Sequence, residues 1–402
     1  ATSVLAVLGV FPQGPVNEAF LVTSWNQFAM QFGGSDPNLP FGTQPSMAPY
    51  ALWQFFNGGG STAWVVGLDG VSSVGSLGSA VLAQVGDPVS SSAPAPALDQ
   101  IGPGRFNIMC IPDLAFTSTA EQASVIAAAH RFCKARQAFL IVDPPPPAAA
   151  MTSAWLPGAN AMPVDNIGTP QGMQALQDWA NQFVNPNSDA AAAYYPWVQI
   201  ADPWNNFASR SVPPSGAVAG VYASTDEVGV WKAPAGLTAT LSGVTGLADV
   251  TMTDTVNSTL NAQGINCLRT FPGYGNVVWG ARTLAGASDT SYTYVSTRRL
   301  ADFIQQSLQQ AFKWTVFEPN GPLLWSSLSV TTAAFMTALW KQGALQGASP
   351  TTAFKITCDA TTTSVADIQA GIVNLNVAFA PVEPAEFIVL NIPLGAGHPA
   401  GS

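Results

Sequence analysis

Charge is what this chain has least of. Only 9% of its 402 residues are Asp, Glu, Lys or Arg, against about 25% in ordinary soluble domains. Thirteen basic residues and 23 acidic ones leave a net charge of −10. That excludes the broad cationic footprint of a protein that grips nucleic acid by its phosphates. Histidine is scarcer still: His130 and His398 are the only two, too few for a His-rich metal centre. The four cysteines, at 110, 133, 267 and 358, form no Cys-x-x-Cys pair and are too scattered to suggest a zinc site. Cys110, inside the apolar run 106–111, reads as a buried thiol. No uninterrupted apolar run reaches the ~18 residues of a membrane span. The opening ATSVLAVLGVF lacks the basic n-region of a signal peptide. The expectation is a folded protein made in the cytoplasm, without metal, cofactor or membrane insertion.

In place of charge stand Ala, Ser, Thr, Asn and Gln, with 36 Gly and 32 Pro, and 48% of the residues are hydrophobic. Disorder would need the reverse balance, and the length allows two or three cores. Residues 4–10 read as a buried strand closed by Pro12, Gly14 and Pro15, followed by helices near 23–32 and 47–56 and a strand at 63–68. Residues 71–104, rich in Ser, Gly, Ala and Pro, read as a mostly irregular loop with one short helix near 80–84. An α/β alternation resumes with strand 106–111, helix 120–136, strand 138–142, helix 171–183 and strand 195–200. A Pro/Asn/Ser loop covers 202–216 before Val218–Tyr222 re-enters the core.

The last third differs. Leu300, Phe303, Ile304, Leu308, Ala311 and Phe312 repeat at helical spacing, which predicts an amphipathic helix over 298–312, with another at 330–341 and a strand at 354–358. Val373, Leu375, Val377 and Phe379 alternate with Asn374, Asn376 and Ala378 as a half-buried strand, and 386–392 forms a last strand after Pro381 and Pro384. Periodicity fits an internal hairpin and an exchanged arm equally well. The expected domains are 1–265 and 266–392, with a flexible tail at 393–402. No Lys or Arg precedes Arg105, whereas seven of the thirteen lie between Arg269 and Lys355 against only Asp289, Asp302 and Glu318. That segment is +4. It points either to an acidic partner or to an uneven scatter of few cations.

Catalytic motifs are weak. Asp113, His130 and Ser215 follow the chain order of subtilisin-type triads, but a nucleophilic serine needs a histidine within hydrogen-bond reach. His130 falls beside the apolar stripe of a helix, a partly exposed surface position, and Ser215 follows two prolines in the predicted loop. A serine hydrolase is the alternative reading. Gly58-Gly59-Gly60 lacks a following Lys-Ser/Thr, and Gly273-Tyr274-Gly275 lacks the third glycine of a dinucleotide site.

Several segments together resemble one family. Residues 10–18 (VFPQGPVNE) with 21–25 (LVTSW) resemble the opening motif of contractile tail sheath proteins. So do 106–112 (FNIMCIP), 140–145 (LIVDPP), 194–197 (YYPW), 212–222 (VPPSGAVAGVY) and 229–235 (GVWKAPA). In the last third, 279–283 (WGART), 294–300 (YVSTRRL) and 384–389 (PAEFIV) continue the series in the family's order.

The resemblance implies a structural subunit rather than an enzyme. It implies homo-oligomerisation in stacked rings, a helical sheath around an inner tube protein, and association with baseplate and terminator or cap proteins. Contraction drives the tube through a target envelope, and assembly in the bacterial cytoplasm yields a phage tail or phage-tail-like particle. The fold implied is α/β with two domains: an outer subtilisin-like α/β domain and an α+β C-terminal assembly domain with a terminal strand arm. Family sheaths contact the tube through the C-terminal domain, which makes Arg298, Arg299 and Lys313 tube-facing candidates. Charge reversal at the two arginines is then expected to weaken tube attachment more than folding. Val373, Leu375, Val377, Phe379, Phe387 and Val389 become candidate inter-subunit arm residues. Members usually carry an N-terminal arm before the first strand, and this sequence opens almost at that strand; the short 71–104 segment leaves no room for outer decoration domains.

Overall fold

The computed structural model describes residues 2–36, 45–86, 96–102, 104–147, 166–184, 187–249, 252–285 and 291–385. Its strands are β1 (Leu5–Gly9), β2 (Ala19–Val22), β3 (Ala63–Gly67), β4 (Ile108–Cys110), β5 (Phe139–Val142), β6 (Ala191–Tyr195), β7 (Val198–Ala201), β8 (Ser209–Val212), β9 (Val244–Leu247), β10 (Ile265–Phe271), β11 (Gly275–Val278), β12 (Phe354–Thr357) and β13 (Asn376–Phe379). The helices are α1 (Trp25–Phe32), α2 (Ala48–Asn57), α3 (Val74–Val85), α4 (Ala97–Gln100), α5 (Thr119–Ala135), α6 (Pro170–Ala180), α7 (Ser215–Asp226), α8 (Asp254–Ala262), α9 (Val295–Ala311), α10 (Pro322–Lys341), α11 (Pro350–Ala353) and α12 (Val365–Gln369).

One eight-stranded sheet, in the order β11-β10-β6-β5-β4-β1-β3-β2, organises the first two thirds. Strands β10, β6, β5, β4, β1 and β3 run parallel, and β2 and β11 close the two edges antiparallel. The side-chain period of two along a strand explains the two cores. Leu5 and Val7 of β1 join α1, α2 and α7 on one face, while Ala6 and Leu8 join α3, α5, α6 and α8 on the other. A small sheet, β8-β7-β9, extends the first core. Since β10 and β11 complete the large sheet, the sheet continues past the expected 265/266 division.

Several local expectations need correction. Residues 74–85 are helical, because Val74, Leu77, Val81 and Val85 recur at helical spacing behind a Ser73 capping box; low-complexity composition hid that stripe. The expected loop at 202–216 instead contains β8, and Ser215 opens α7. Helix α7 is buried nearly all round because it lies against α2 with almost no side chain between: a Cβ on Gly216 would sit 2.3 Å from the Cα of Ala51, and one on Gly220 2.8 Å from the Cα of Gly58. Glycine is required at such a backbone approach.

In the last third, α9 is the predicted amphipathic helix, but α10 starts eight residues earlier than expected. With 20 residues and mean hydropathy 1.3, α10 is long and apolar enough to cross a membrane by length and composition. Interleaved Ser and Thr broke the apolar run in the sequence. Its Leu324, Trp325, Leu328, Met336 and Leu339 are buried against α9, β12 and the segment leading to β13. Strand β13 pairs antiparallel with β12, Ile356 opposite Val377 and Phe354 opposite Phe379. The described partner of the predicted 372–379 strand is therefore β12, and the strand expected at 386–392, with Phe387 and Val389, lies outside the described residues.

Candidate functional site: the two ends of the sheet

Parallel strands give the sheet a carboxyl end and an amino end, and different charge clusters occupy them. At the carboxyl end Asp113 follows β4 and Asp143 follows β5. Doubly wound sheets hold ligands at this end, where the strand order reverses, here between β1 and β4. In this chain a helix terminus fills that place. Asp113 accepts hydrogen bonds from the Ser46 hydroxyl and the Met47 amide, both at 2.6 Å, and so caps the start of α2. The fit is close enough that a Cβ on Gly9, the last residue of β1, would lie 2.1 Å from the Ala48 Cβ. Asp143 caps α7 in the same way, accepting from the Ser215 amide at 2.8 Å. Burial pushes Asp113 up to about 6 and Asp143 up to about 7, with the charge of Asp113 adding to the second shift. The cavity beside Asp143 measures about 10 Å³, room for one water at most.

His130 is elsewhere. It is buried rather than at a partly exposed surface position, its Nε2 accepts from the Ala190 amide at 3.1 Å, and it lies 3.6 Å from Asp189. Asp113 and Ser215 stand at the carboxyl end of the sheet, whereas Ala190 and Asp189 precede β6 at the amino end. The three residues of the hydrolase alternative do not assemble into a triad. Among the described residues no group of three or more His, Cys, Asp or Glu side chains could hold a metal ion.

At the amino end, α9 is clamped across the starts of the strands. Arg298 holds Asp302 through two nitrogens, at 2.5 and 3.2 Å, and Asp189 at 3.0 Å. Asp189 also takes Lys134 at 2.6 Å. Burial opposes ionisation of Asp189, but the hydrogen bond from Lys134 and the charges of Arg298 and Lys134 hold it well below the usual carboxylate range. Arg299 grips Asp226, at the end of α7, with both terminal nitrogens at 2.9 and 2.7 Å, and donates to the Thr2 carbonyl at 2.8 Å. Its guanidinium also lies over the Tyr222 ring, 4.7 Å from the centroid. Gln306 accepts from Asn107 and donates to the Gln137 carbonyl. Thr2, Asn107, Gln137 and Asp189 precede β1, β4, β5 and β6 respectively, so one helix ties four strand starts together.

This geometry corrects the expectation for Arg298 and Arg299. They are 8% and 4% exposed, and their charge is paired inside the subunit rather than presented at its surface. The +4 of the last third is correspondingly smaller at the surface. Lys313, in the turn after α9, is exposed. Of the arm candidates, Val377 and Phe379 pack beside α9 and α10, and Val373 and Leu375 against Leu324, Trp325 and Leu328. Sequence reasoning missed Asp189 and Asp226 as partners because they are 109 and 73 residues from the arginines they hold. Only the Arg298–Asp302 pair, four apart on one helix, carried a local signal.

Comparison with known proteins extends these observations. Residues 89–284 match the phage tail sheath protein central domain and residues 287–394 the phage tail sheath C-terminal domain. The chain is similar to a tail sheath protein of Vibrio phage KVP40, 29% identical over 188 residues covering 46% of this chain and 27% of the relative. It is also similar to a tail sheath protein of Burkholderia phage BcepMu, 30% identical over 209 residues covering 50% and 42%. The matched stretches span about a quarter to a half of the curated relatives' length. Among solved structures, the helical sheath of the anti-feeding prophage in its contracted state aligns with TM-score 0.69 and 28% identity, over 98% of this chain and 93% of that one.

Proposed function

The chain belongs to the phage tail sheath family, and on that premise we propose that it is a structural subunit of a contractile sheath. In this reading copies polymerise in stacked rings around an inner tube protein, a baseplate triggers contraction, and the tube is driven through a target envelope. The observation that carries the proposal is the whole-length likeness to a contracted helical sheath. The structure is compatible with it: the end of the sheet where a ligand would sit is taken up by capped helices, and buried ion pairs fasten α9 to the body. A subunit that transmits force needs such a body, and two packings separated by a barrier store energy without a nucleotide site.

Finer assignments follow from the same reading. The segment between β11 and α9 joins an α/β body to an α+β assembly unit. Exposed Lys313 is the remaining tube-facing candidate of the three cations. Strand β13, with Val377 and Phe379 inward, serves as platform for arm strands of neighbouring copies, since an edge strand accepts another by main-chain hydrogen bonds; Phe387 and Val389 belong to such an arm. Assembly takes place in the bacterial cytoplasm, with terminator or cap proteins closing the polymer.

Co-expression with an inner tube protein tests the proposal. Tube and chain sediment together as long particles if it holds. Tubes that form bare while the chain stays at monomer size would refute it.

A further inference from the structure

A cavity of about 210 Å³ lies beside α8. Small residues line it: Ala233, Ala235 and Gly236 from the segment after α7, and Gly280 and Ala281 from the segment after β11. Trp279 adds one aromatic surface. Hydrogen bonds hold this lining in place. The Gly236 amide donates to the Val278 carbonyl at 2.9 Å. Buried Asn266 donates to the Arg282 carbonyl and accepts from the Arg282 amide, both at 2.7 Å. Gly280 packs so closely on it that a Cβ there would sit 2.8 Å from the Asn266 Oδ1. On α8, Asn257 lines the same space, and its buried Oδ1 has no donor among the described residues. A buried acceptor without a donor is uncommon, and this one borders a space large enough to admit one.

We propose that this cavity seats the side chain of Phe387 from the same chain, with the main chain beside it donating to Asn257 Oδ1. The path of the chain selects the occupant. After β13 the backbone is fixed against 344–346, the segment that follows α10. The Gln346 amide donates to the Ala380 carbonyl at 2.8 Å, Pro381 bridges Leu345, and the Val382 amide donates to the Ala344 carbonyl at 3.3 Å. Pro384 and Ala385 then line the cavity, and there the described residues end. The next apolar side chain in the sequence is Phe387. Two residues span at most about 7 Å, so its ring needs no long loop to arrive. Size agrees as well: an apolar cavity on the order of 150 Å³ takes up benzene. A competing segment from another copy or another protein must match the roughly millimolar effective concentration that so short a tether gives. Extended segments are held by main-chain hydrogen bonds with side chains in pockets, and Asn257 and the small-residue lining supply one of each. The inference concerns the single subunit and goes beyond the sheath reading; where that reading holds, seated Phe387 is the root from which the arm leaves.

The test uses the full chain carrying Ser258→Cys/Ile388→Cys. Ser258 lines the cavity and is exposed, and the four native cysteines are buried, so a short bismaleimide joins only the introduced pair. Isotope-labelled and unlabelled chains are mixed, single subunits are separated from any polymer by sedimentation, and the joined peptides are identified by mass spectrometry. The expected result is joining within single chains, without hybrid peptides. Adding Phe387→Ala slows joining about tenfold or more, the loss for a ring no longer buried, whereas Phe387→Leu keeps most of the rate. Asn257→Ala slows it about threefold, one hydrogen bond's share. Circular dichroism stays unchanged throughout. Equal rates with and without Phe387→Ala would mean that the two cysteines meet by chance, and would overturn the inference, as would the absence of joining. Hybrid peptides at the frequency of random pairing would assign the cavity to a second copy and overturn it too. None of these results touches the sheath reading, which polymer formation decides separately.

Discussion

Arg299 sends both terminal nitrogens to Asp226 at a site only 4% exposed. Removing the arginine leaves a buried carboxylate without its partner. Arg299→Met is expected to cost about 3–5 kcal/mol in chemical denaturation, and adding Asp226→Leu should recover most of it. A loss in tube binding with unchanged denaturation would contradict this placement. The carboxyl end of the sheet yields a second residue-scale prediction. Asp143 is raised from an ordinary 3.8 to about 7 by burial, so between those values the native state binds more protons than the unfolded one. Its contribution to stability is present below that window and falls as pH rises through it. Asp189, held low, acts with the opposite sign, its contribution being lost only as acid protonates it. Urea midpoints of Asp143→Asn should therefore decline less than wild type from about pH 5 to about pH 8, with the acid side unchanged. Parallel curves for the two proteins would show that Asp143 does not titrate in that range.

At the scale of elements, close packing of α2 on α7 explains the glycine spacing that follows Ser215. Gly216-Ala217-Val218-Ala219-Gly220 is spaced for backbone contact, since a Cβ at Gly216 meets the Ala51 main chain at 2.3 Å. Gly216→Ala is expected to destabilise by about 1–3 kcal/mol through overpacking. Gly75→Ala in α3, where a Cβ meets nothing nearer than 3.8 Å, should instead stabilise by about 0.5 kcal/mol. Thermal melts of the two variants check both signs. Elements with a strong period were legible in the sequence: β1, β4, β5, α5 and the apolar stripe of α9. Helix α3 was not, because Ser, Gly and Ala occupy its outer positions and mask four well-spaced apolar residues. The start of α10 was hidden by Ser and Thr, and the partner of β13 could not be read because alternation sets a strand's faces but not its neighbour.

For the whole molecule, what was legible was an ordered set of short segments spread over the chain, and that set led to the family. Invisible was the use of the few charges. Arg298 and Arg299 looked like a basic surface because the sequence does not show that Asp189, Asp226 and Asp302 converge on them across the amino end of the sheet. Each copy of a chain with so little charge buries Asp113, Asp143, Asp189, Asp202, Asp249, Asp302, Arg298 and Arg299. The central claim is that such copies build a contractile sheath. Negative-stain electron microscopy of the purified chain, alone and with its tube protein, tests it most directly. Hollow cylinders with regular cross-striation are the predicted result; dispersed single particles under both conditions, at every concentration tried, would contradict it.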